Sequence, residues 1–111
     1  MSVYMIIDIQ VKDNEMYSKY IEKVPEIISK YGGRYLTRGG KIIPLTGNWN
    51  PERIVLIQFD SIEQLQRCFQ SPEYLEIAPL REQATVSRAI IVEGCTAPQK
   101  DTCESNKKKD I

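Results

Sequence analysis

The sequence predicts an α+β domain whose elements follow the order β-α-β-β-α-β. Three observations indicate it: apolar alternation near the N-terminus, two helical repeats that each follow a capping residue, and short apolar runs at 53–59 and 87–93. This order is the split βαβ plan of ferredoxin-like domains, in which both helices cover one face of an antiparallel sheet. We therefore expect a four-stranded sheet with one open face.

The first strand and helix have clear signals. Apolar residues alternate with their neighbours over 3–11, which predicts a strand. Asp13 is placed to cap a helix, whose apolar residues then recur at helical spacing as far as Tyr31. Pro25 lies inside this helix and leaves the carbonyl of Ile21 without its usual N–H partner, so we expect a kink and not a break.

Two glycine pairs, Gly32-Gly33 and Gly39-Gly40, bound a short predicted strand over 34–38. The first pair follows the last periodic residue of the helix, where glycine readily adopts a left-handed conformation. A phosphate-binding loop needs its glycines between a strand and the start of a helix, and neither pair has that setting. The glycines therefore mark turns.

The second half of the chain repeats the pattern. After the strand at 53–59, Ser61 with Gln64 forms a capping box for the second helix. Ser71-Pro72 begins another helical turn, which Pro79 is expected to break or kink.

The last strand is predicted at 87–93. We expect residues 1–94 to form one domain and the polar residues 95–111 to form a flexible tail.

Composition limits the partners. The chain has 111 residues with 15 basic and 15 acidic side chains, so its formal net charge is zero. Nucleic-acid binding normally requires a basic excess, and no nucleic-acid partner is expected. The sequence has no run of about 18 apolar residues and no signal-peptide pattern, so we expect a cytoplasmic protein without a membrane contact.

Histidine is absent, which excludes histidine-based triads, histidine metal ligands and histidine-ligated haem. The three cysteines, Cys68, Cys95 and Cys103, match no metal or disulfide framework. Cys68 falls on the predicted inner face of a helix, where a buried and unreactive thiol is expected. No metal or other cofactor is predicted.

The strands at 53–59 and 87–93 carry apolar residues at consecutive positions, so apolar side chains point to both sides of the sheet. The two helices cover only one side. A second copy of the chain is the simplest cover for the other, because buried apolar surface contributes roughly 25 cal/mol per Å². We expect a homodimer through the open sheet face.

Several motifs together resemble the DUF1330 family, in the same order and at the same spacings, from about residue 3 to 94. They are Tyr17 and Tyr20, Val24-Pro25, Lys30-Tyr31-Gly32-Gly33-Arg34, Arg38-Gly39-Gly40, Trp49 with Pro51-Glu52-Arg53, Ser71-Pro72-Glu73-Tyr74, Arg81 and Ser87-Arg88. The resemblance implies a dimeric α+β barrel. That superfamily includes cofactor-independent monooxygenases, muconolactone-type isomerases, haem-degrading enzymes and dye peroxidases, while DUF1330 itself has no established activity.

The resemblance also implies a ligand chamber between the two sheets of the dimer. On the first strand, Tyr4, Ile6 and Asp8 share the face away from the helices, and Tyr4 is a candidate ligand-binding residue. A carboxylate in a half-apolar chamber can have a raised pKa and act as a general base, which makes Asp8 the candidate catalytic residue. The alternative is an exposed or arginine-paired Asp8.

Arginines are the candidate anion ligands. Arg34 and Arg38 are four residues apart on one predicted strand and are expected to share a face. Guanidinium groups bind carboxylates in bidentate fashion, so these two could hold an anionic ligand, with Arg38 the better candidate. The alternative is that they pair with acidic side chains of the protein. Trp49 is predicted at a pocket mouth or a subunit contact, and Tyr74 beside a cleft.

Three functions remain open at this point. The first is a dimer that binds an unknown small anionic or aromatic metabolite between its sheets. The second is a cofactor-independent monooxygenase or isomerase, with Asp8 accepting a proton and Arg38 stabilising the developing anion. The third is a non-catalytic structural or interaction dimer, whose inter-sheet space is filled by side chains such as Tyr4, Ile6, Leu56 and Ile91. An enzymatic role is left undecided.

Overall fold

The computed structural model describes residues 1–95. Its elements, in chain order, are β1 (Val3–Val11), α1 (Asn14–Lys30), β2 (Arg34–Arg38), β3 (Arg53–Phe59), α2 (Ile62–Phe69), α3 (Pro72–Ala84) and β4 (Thr85–Glu93). The predicted βαββαβ order is confirmed, with the second helical region divided between α2 and α3. All of the predicted tail except Cys95 lies outside the described residues, as does Cys103.

The strands form one antiparallel sheet in the order β2-β3-β1-β4. The central strand β1 pairs with β3 and β4, so that Met5 lies opposite Ile57 on one side and Ile91 on the other. Helices cover the face that carries the odd-numbered residues of β1 and β3, and the core forms between the two layers. Its buried members include Val3, Ile9, Val24, Ile28, Val55, Ile57, Phe59, Leu65, Cys68, Tyr74 and Ile77.

Helix α1 begins at the predicted cap, where Asp13 Oδ1 accepts a hydrogen bond of 3.0 Å from the backbone N–H of Met16. The helix continues through Pro25. Because proline has no N–H, the carbonyl of Ile21 lacks its intrahelical donor, and Arg38 Nη2 donates to that carbonyl at 2.7 Å. A side chain from β2 thus satisfies the carbonyl that Pro25 leaves unpaired.

The end of α1 depends on both glycines of the first pair. Gly32 has a φ of +86°, the left-handed conformation expected after a helix. Gly33 has a different requirement, because a Cβ there would lie 2.7 Å from Ile28 Cγ2 and 2.8 Å from the ring of Phe59. The predicted turn is therefore also a point of close packing between α1 and β3.

Ser71 joins α2 to α3. Its hydroxyl donates to the carbonyl of Cys68 at 2.7 Å and accepts from the N–H of Tyr74 at 3.2 Å. The expectation of a break at Pro79 is wrong, because α3 runs without interruption to Ala84. β4 then begins at Thr85, two residues before the predicted start.

A β-bulge changes the directions of the side chains on β2. The register with β3 shifts at Leu36, so that Arg34 lies opposite Gln58 and Arg38 lies opposite Val55. Gln58 points to the open face of the sheet and Val55 points to the helices. The prediction that Arg34 and Arg38 share a face is therefore wrong, since the extra residue reverses the alternation between them.

The open face of the sheet is strongly apolar. Ile90 on β4 is 61% exposed, and Val86 and Val92 on the same strand are also exposed. The segment 39–52 between β2 and β3 has no regular structure, and its exposed Trp49 lies beside Asp8 on this face. In a single chain nothing among the described residues covers this surface.

None of the helices within residues 1–95 has the length and apolarity needed to cross a membrane.

Candidate functional site

A cavity of about 400 Å³ lies between the sheet and the helices. Its floor comes from β1 and β3, and its roof comes from α1 and α3. The lining is mainly apolar and aromatic, a composition typical of small-molecule sites. The apolar and aromatic lining residues include Met5, Ile7, Ile9, Tyr17, Val24, Ile28, Tyr35, Val55, Ile57 and Phe69.

Two tyrosine hydroxyls meet in the roof of this cavity. Tyr20 on α1 and Tyr74 on α3 are 8% and 6% exposed, and their hydroxyl oxygens are 2.9 Å apart. Arg81 lies about two helical turns after Tyr74. It donates from Nε to the Tyr74 hydroxyl at 3.1 Å and from Nη1 to Ser87 Oγ at 3.0 Å. The four side chains form one hydrogen-bonded network that we call the hydroxyl network: Tyr20, Tyr74, Arg81 and Ser87.

Burial raises the pKa values of two phenols of this cavity, those of Tyr20 and Tyr35. It raises the pKa of Tyr20 far above the ordinary value for tyrosine, and the neighbouring Tyr74 adds to the effect. Burial also raises the pKa of Tyr35 to about 12, although Arg38 acts in the opposite direction. At neutral pH both phenols are hydrogen-bond donors.

Two further arginines line the cavity from the strands. The guanidinium of Arg38 lies 5.0 Å from the ring centroid of Tyr35, and that of Arg53 lies 5.5 Å from the ring centroid of Tyr17. Neither forms an ion pair with a carboxylate among residues 1–95. The Nε of Arg53 is buried and has no hydrogen-bond partner there.

Gly39 makes room for Arg53. It has a φ of +75°, and the guanidinium of Arg53 lies where a Cβ would stand. The second glycine pair therefore supports the position of a cavity arginine as well as turning the chain.

The polar groups of the cavity lie at the same end of the sheet. Ile9 on β1 pairs with Arg53 on one side and Ser87 on the other, so the three residues form one row across the sheet. Arg38 lies diagonally from Arg53, because it pairs with Val55, two residues further along β3. At about 4.8 Å per strand, Arg53 and Ser87 are roughly 10 Å apart across the cavity floor. The opposite end of the cavity is apolar.

Asp8 lies on the other face of the sheet. Its Oδ2 accepts hydrogen bonds from Nε and Nη2 of Arg88, at 3.2 and 3.1 Å, and from Trp49 Nε1 at 3.3 Å. These residues line a shallow groove together with Gln10 and Glu52. The arginine-paired alternative for Asp8 is thus the arrangement observed, and Asp8 does not line the cavity beneath the helices.

The predicted ligand residues divide between the two faces. Arg38 and Tyr74 line the helix–sheet cavity, whereas Trp49, which is 55% exposed, lies on the open face beside Asp8. Tyr4 also belongs to the open face, as does Arg34, whose Nη2 donates to Gln58 Oε1 at 2.6 Å. Binding and catalytic roles for these residues remain predictions.

In the sequence, Arg81 and Tyr20 were noted only among the family motifs, and neither was predicted as a site residue. A signal was present, because Tyr74, Ala78 and Arg81 are spaced to share one helix face. The expected break at Pro79 removed that signal, since a broken helix would not carry Arg81 onto the face of Tyr74.

Cys68 lies where it was expected. It is fully buried, and burial raises the pKa of its thiol to about 11. Within residues 1–95, no group of three cysteine, aspartate or glutamate side chains is arranged to hold a metal ion.

The fold and site together define a ferredoxin-like α+β protein with an aromatic, arginine-lined cavity between its two layers. The chain belongs to the DUF1330 family, a domain of unknown function, whose family model matches residues 2–95. The predicted resemblance is thus confirmed. No curated protein matches the sequence.

Solved structures share the fold at low sequence identity. A protein of unknown function from Rhodopseudomonas palustris has a TM-score of 0.72 at 18% identity, over 86% of this chain and 83% of that chain. A dabb family protein with a ferredoxin-like fold from Mesorhizobium loti has a TM-score of 0.64 at 11% identity, over 84% and 96% of the two chains. SnoaB, a cofactor-independent oxygenase from Streptomyces nogalater, has a TM-score of 0.62 at 12% identity, over 88% and 98%.

Proposed function

We propose that this protein binds a small aromatic carboxylic acid in the cavity between its sheet and helices. The observation that carries the proposal is the pair Arg38 and Arg53, which line an apolar cavity without a carboxylate partner among the described residues. The site differs from the one predicted between two sheets, although the class of ligand, anionic and aromatic, is the same.

The two arginines suit a carboxylate. As diagonal neighbours on adjacent strands, their Cα atoms lie roughly 7 to 8 Å apart, so both side chains can reach one group. Each guanidinium is positioned by an aromatic ring, and Arg38 is held as well by the carbonyl of Ile21. A guanidinium prepositioned in this way loses little conformational entropy when it binds an anion.

The remainder of the cavity suits an apolar ring system. Beyond the arginines the walls are aliphatic and aromatic, with Val24 and Ile28 from α1, Ile57 from β3 and Phe69 from α2. A ligand that is charged at one end and apolar at the other matches this gradient.

The test is a calorimetric titration with fluorene-2-carboxylate and with its uncharged counterpart, fluorene-2-methanol. We expect the acid to bind more tightly than the alcohol. Arg53→Met should weaken binding of the acid by about tenfold or more, because it removes a charge-assisted hydrogen bond, and should leave the alcohol almost unaffected. Arg34→Met is the matched control, since Arg34 lies on the open face of the same sheet. Equal binding of the acid by both variants would rule out the arginine pair as the carboxylate site.

A homodimer through the open sheet face is also part of this proposal. The apolar residues exposed there, Val86, Ile90 and Val92 among them, form a continuous surface that a second copy would bury. On that face Asp8 and Arg88 form an ion pair with each other, and Arg34 donates a hydrogen bond to Gln58, which lowers the cost of bringing two copies together. Sedimentation velocity at micromolar concentration tests it, and a monomer would contradict it.

Oxygenation or isomerisation in the same cavity is a second candidate, favoured by the shared fold with SnoaB, a cofactor-independent oxygenase. Asp8 is on the wrong face to serve as base there. Glu82 lines the cavity, with its Oε2 3.8 Å from Arg81 Nη2, and is the carboxylate positioned for that role. An oxygen electrode would follow oxygen uptake with 1,4-dihydroxy-2-naphthoate, and a rate equal to the uncatalysed one, or unchanged in Glu82→Gln, would remove this candidate.

The third candidate, a purely structural dimer, would be favoured if neither fluorene compound bound. Its predicted inter-sheet filling needs one correction. Ile91 pairs with Met5 on the helix side, while Ile90 pairs with Ile6 on the open face.

A further inference from the structure

We infer that the Tyr20–Tyr74 pair supplies one hydroxyl hydrogen to an acceptor oxygen of the ligand, so that the aromatic acid bound here also carries a carbonyl or equivalent oxygen. This inference rests on the proposed function, because it concerns a ligand in the same cavity. It assigns a specificity role to the hydroxyl network.

The Tyr20–Tyr74 pair has one more hydroxyl hydrogen than the contact between the two oxygens uses. Tyr20 and Tyr74 each have one hydroxyl hydrogen, and the single contact between their oxygens uses one of the two. The other interaction of the pair is donated by Arg81, so it consumes an oxygen lone pair and no hydroxyl hydrogen. One O–H donor of the pair therefore has no acceptor among residues 1–95, whichever tyrosine carries it.

Such a donor is costly to leave unpaired. Both tyrosines are buried, and both side chains line the cavity. Buried hydroxyls almost always find a partner, because an unsatisfied one costs about 1–3 kcal/mol. The cavity is the space in which an acceptor for this hydrogen can lie.

Arg81 fixes the position of the pair. Its Nε donates to Tyr74 while its Nη1 donates to Ser87 on β4, so the guanidinium spans the gap between α3 and the sheet. The hydrogen bond that the charged guanidinium donates to the Tyr74 oxygen makes that phenol a stronger donor. Arg81 is thus a positioning residue, and the tyrosine hydroxyl makes the ligand contact.

The network and the arginine pair approach the cavity from different sides. Arg38 and Arg53 enter from β2 and β3, whereas Arg81 and Tyr74 enter from α3. Ser87 on β4, which Arg81 contacts, lies roughly 10 Å from Arg53 across the floor. A ligand whose carboxylate meets the arginines therefore presents a different atom to the tyrosines. That atom must accept a hydrogen bond, which selects a keto or related oxygen and disfavours a hydrocarbon.

The test compares two acids of the same shape, 9-fluorenone-2-carboxylate and fluorene-2-carboxylate, which differ in a carbonyl that replaces a methylene group. Calorimetric titration of the wild-type protein should give about tenfold tighter binding of the fluorenone acid, the ratio expected for one hydrogen bond to a buried donor. This comparison needs no variant, so it does not depend on whether a substitution folds.

Variants then locate the donor. Tyr74→Phe and Tyr20→Phe each remove one phenol of the pair, and the variant that removes the donor to the ligand should bring the ratio of the two dissociation constants close to one. Tyr17→Phe is the matched control: it removes a phenol from the same cavity whose hydroxyl forms no hydrogen bond among the described residues. Its ratio should equal that of the wild-type protein.

The outcomes separate the two proposals. Equal binding of both acids by the wild-type protein, or a tenfold ratio that survives in both tyrosine variants, would overturn this inference and leave the arginine site standing. Binding of neither acid at millimolar concentration would overturn the proposed function and this inference with it.

Discussion

The two faces of the sheet are built from similar residues but have different surroundings. On the helix side, strand residues such as Val55 and Ile57 are buried around a cavity of about 400 Å³. On the open side, Ile90 and Val92 are exposed, and the groove near Asp8, of similar volume, is more open to solvent and has a more polar lining. An apolar sheet face alone therefore does not make a binding site. Helices laid over one face create an enclosed volume, while the uncovered face remains suited to contact with another protein surface.

The arginines differ between the faces in the same way. On the open face Arg88 is paired with Asp8 and Arg34 with Gln58, so their donors are used within the protein. On the helix side Arg38 and Arg53 contact rings and have no carboxylate partner among residues 1–95. The guanidinium donors of the open face are engaged by neighbouring side chains, whereas the positive charges of Arg38 and Arg53 in the cavity are available to a ligand.

The largest expected effect contrasts isoleucines on the two faces. Ile57→Ala removes a side chain that is 2% exposed and should lower the free energy of unfolding by about 2–5 kcal/mol at any protein concentration. Ile90→Ala should cost under about 1 kcal/mol in dilute protein and more at high concentration, because it weakens association and not the core. Urea denaturation at two protein concentrations checks both. Equal losses for the two variants would mean that the faces are equivalent.

A charge on the open face should act on association. Ile90→Glu places a carboxylate in the proposed dimer interface, where it has no partner, and should raise the dimer dissociation constant about a hundredfold. Leu75→Glu is the control, since Leu75 is similarly exposed at 57% but lies on α3. Sedimentation equilibrium measures both. A variant that dimerises as the wild-type protein does would place the interface elsewhere.

The hydrogen bond from Arg38 to the Ile21 carbonyl should contribute to the free energy of unfolding, and its contribution should depend on Pro25. Arg38→Met removes the donor and should destabilise the fold by about 1 kcal/mol. In a Pro25→Ala background the restored N–H can bond to Ile21 instead, so the same substitution should cost less. A double-mutant cycle by urea denaturation tests the coupling. Additive effects would show that the arginine does not replace the missing N–H.

The smallest expected effect concerns the exposed ion pair between Lys30 and Glu73. Hydrogen bonds from Lys30, from the backbone and from Tyr31 lower the pKa of Glu73 to about 2 from an ordinary 4.5. A group with a lowered folded-state pKa stabilises the protein above the unfolded pKa, and that contribution is lost as the pH falls from about 4.5 toward 2. The Tm difference between wild type and Glu73→Gln should be small at pH 7 and vanish near pH 2, because the pair is exposed. A difference that grows on acidification would contradict this sign.

Local signals made the elements predictable. Asp13, Ser61 and Ser71 cap their helices as expected, because capping depends on a side chain and a backbone N–H three residues away. The glycine after α1 was predictable for the same reason, since a left-handed residue is a local requirement. Residue spacing within one element carries this information.

The order of the elements, the apolar character of both sheet faces and the family could be predicted from the sequence, because each depends on neighbouring residues or on motif spacing. The set of side chains that line the cavity could not, since it depends on the tertiary structure. The bulge at Leu36 sends Arg38 toward the helices and Arg34 away from them, and an unbroken α3 brings Arg81 to Tyr74. Both outcomes depend on packing against distant strands and helices, where one inserted residue or one tolerated proline changes which side chains meet.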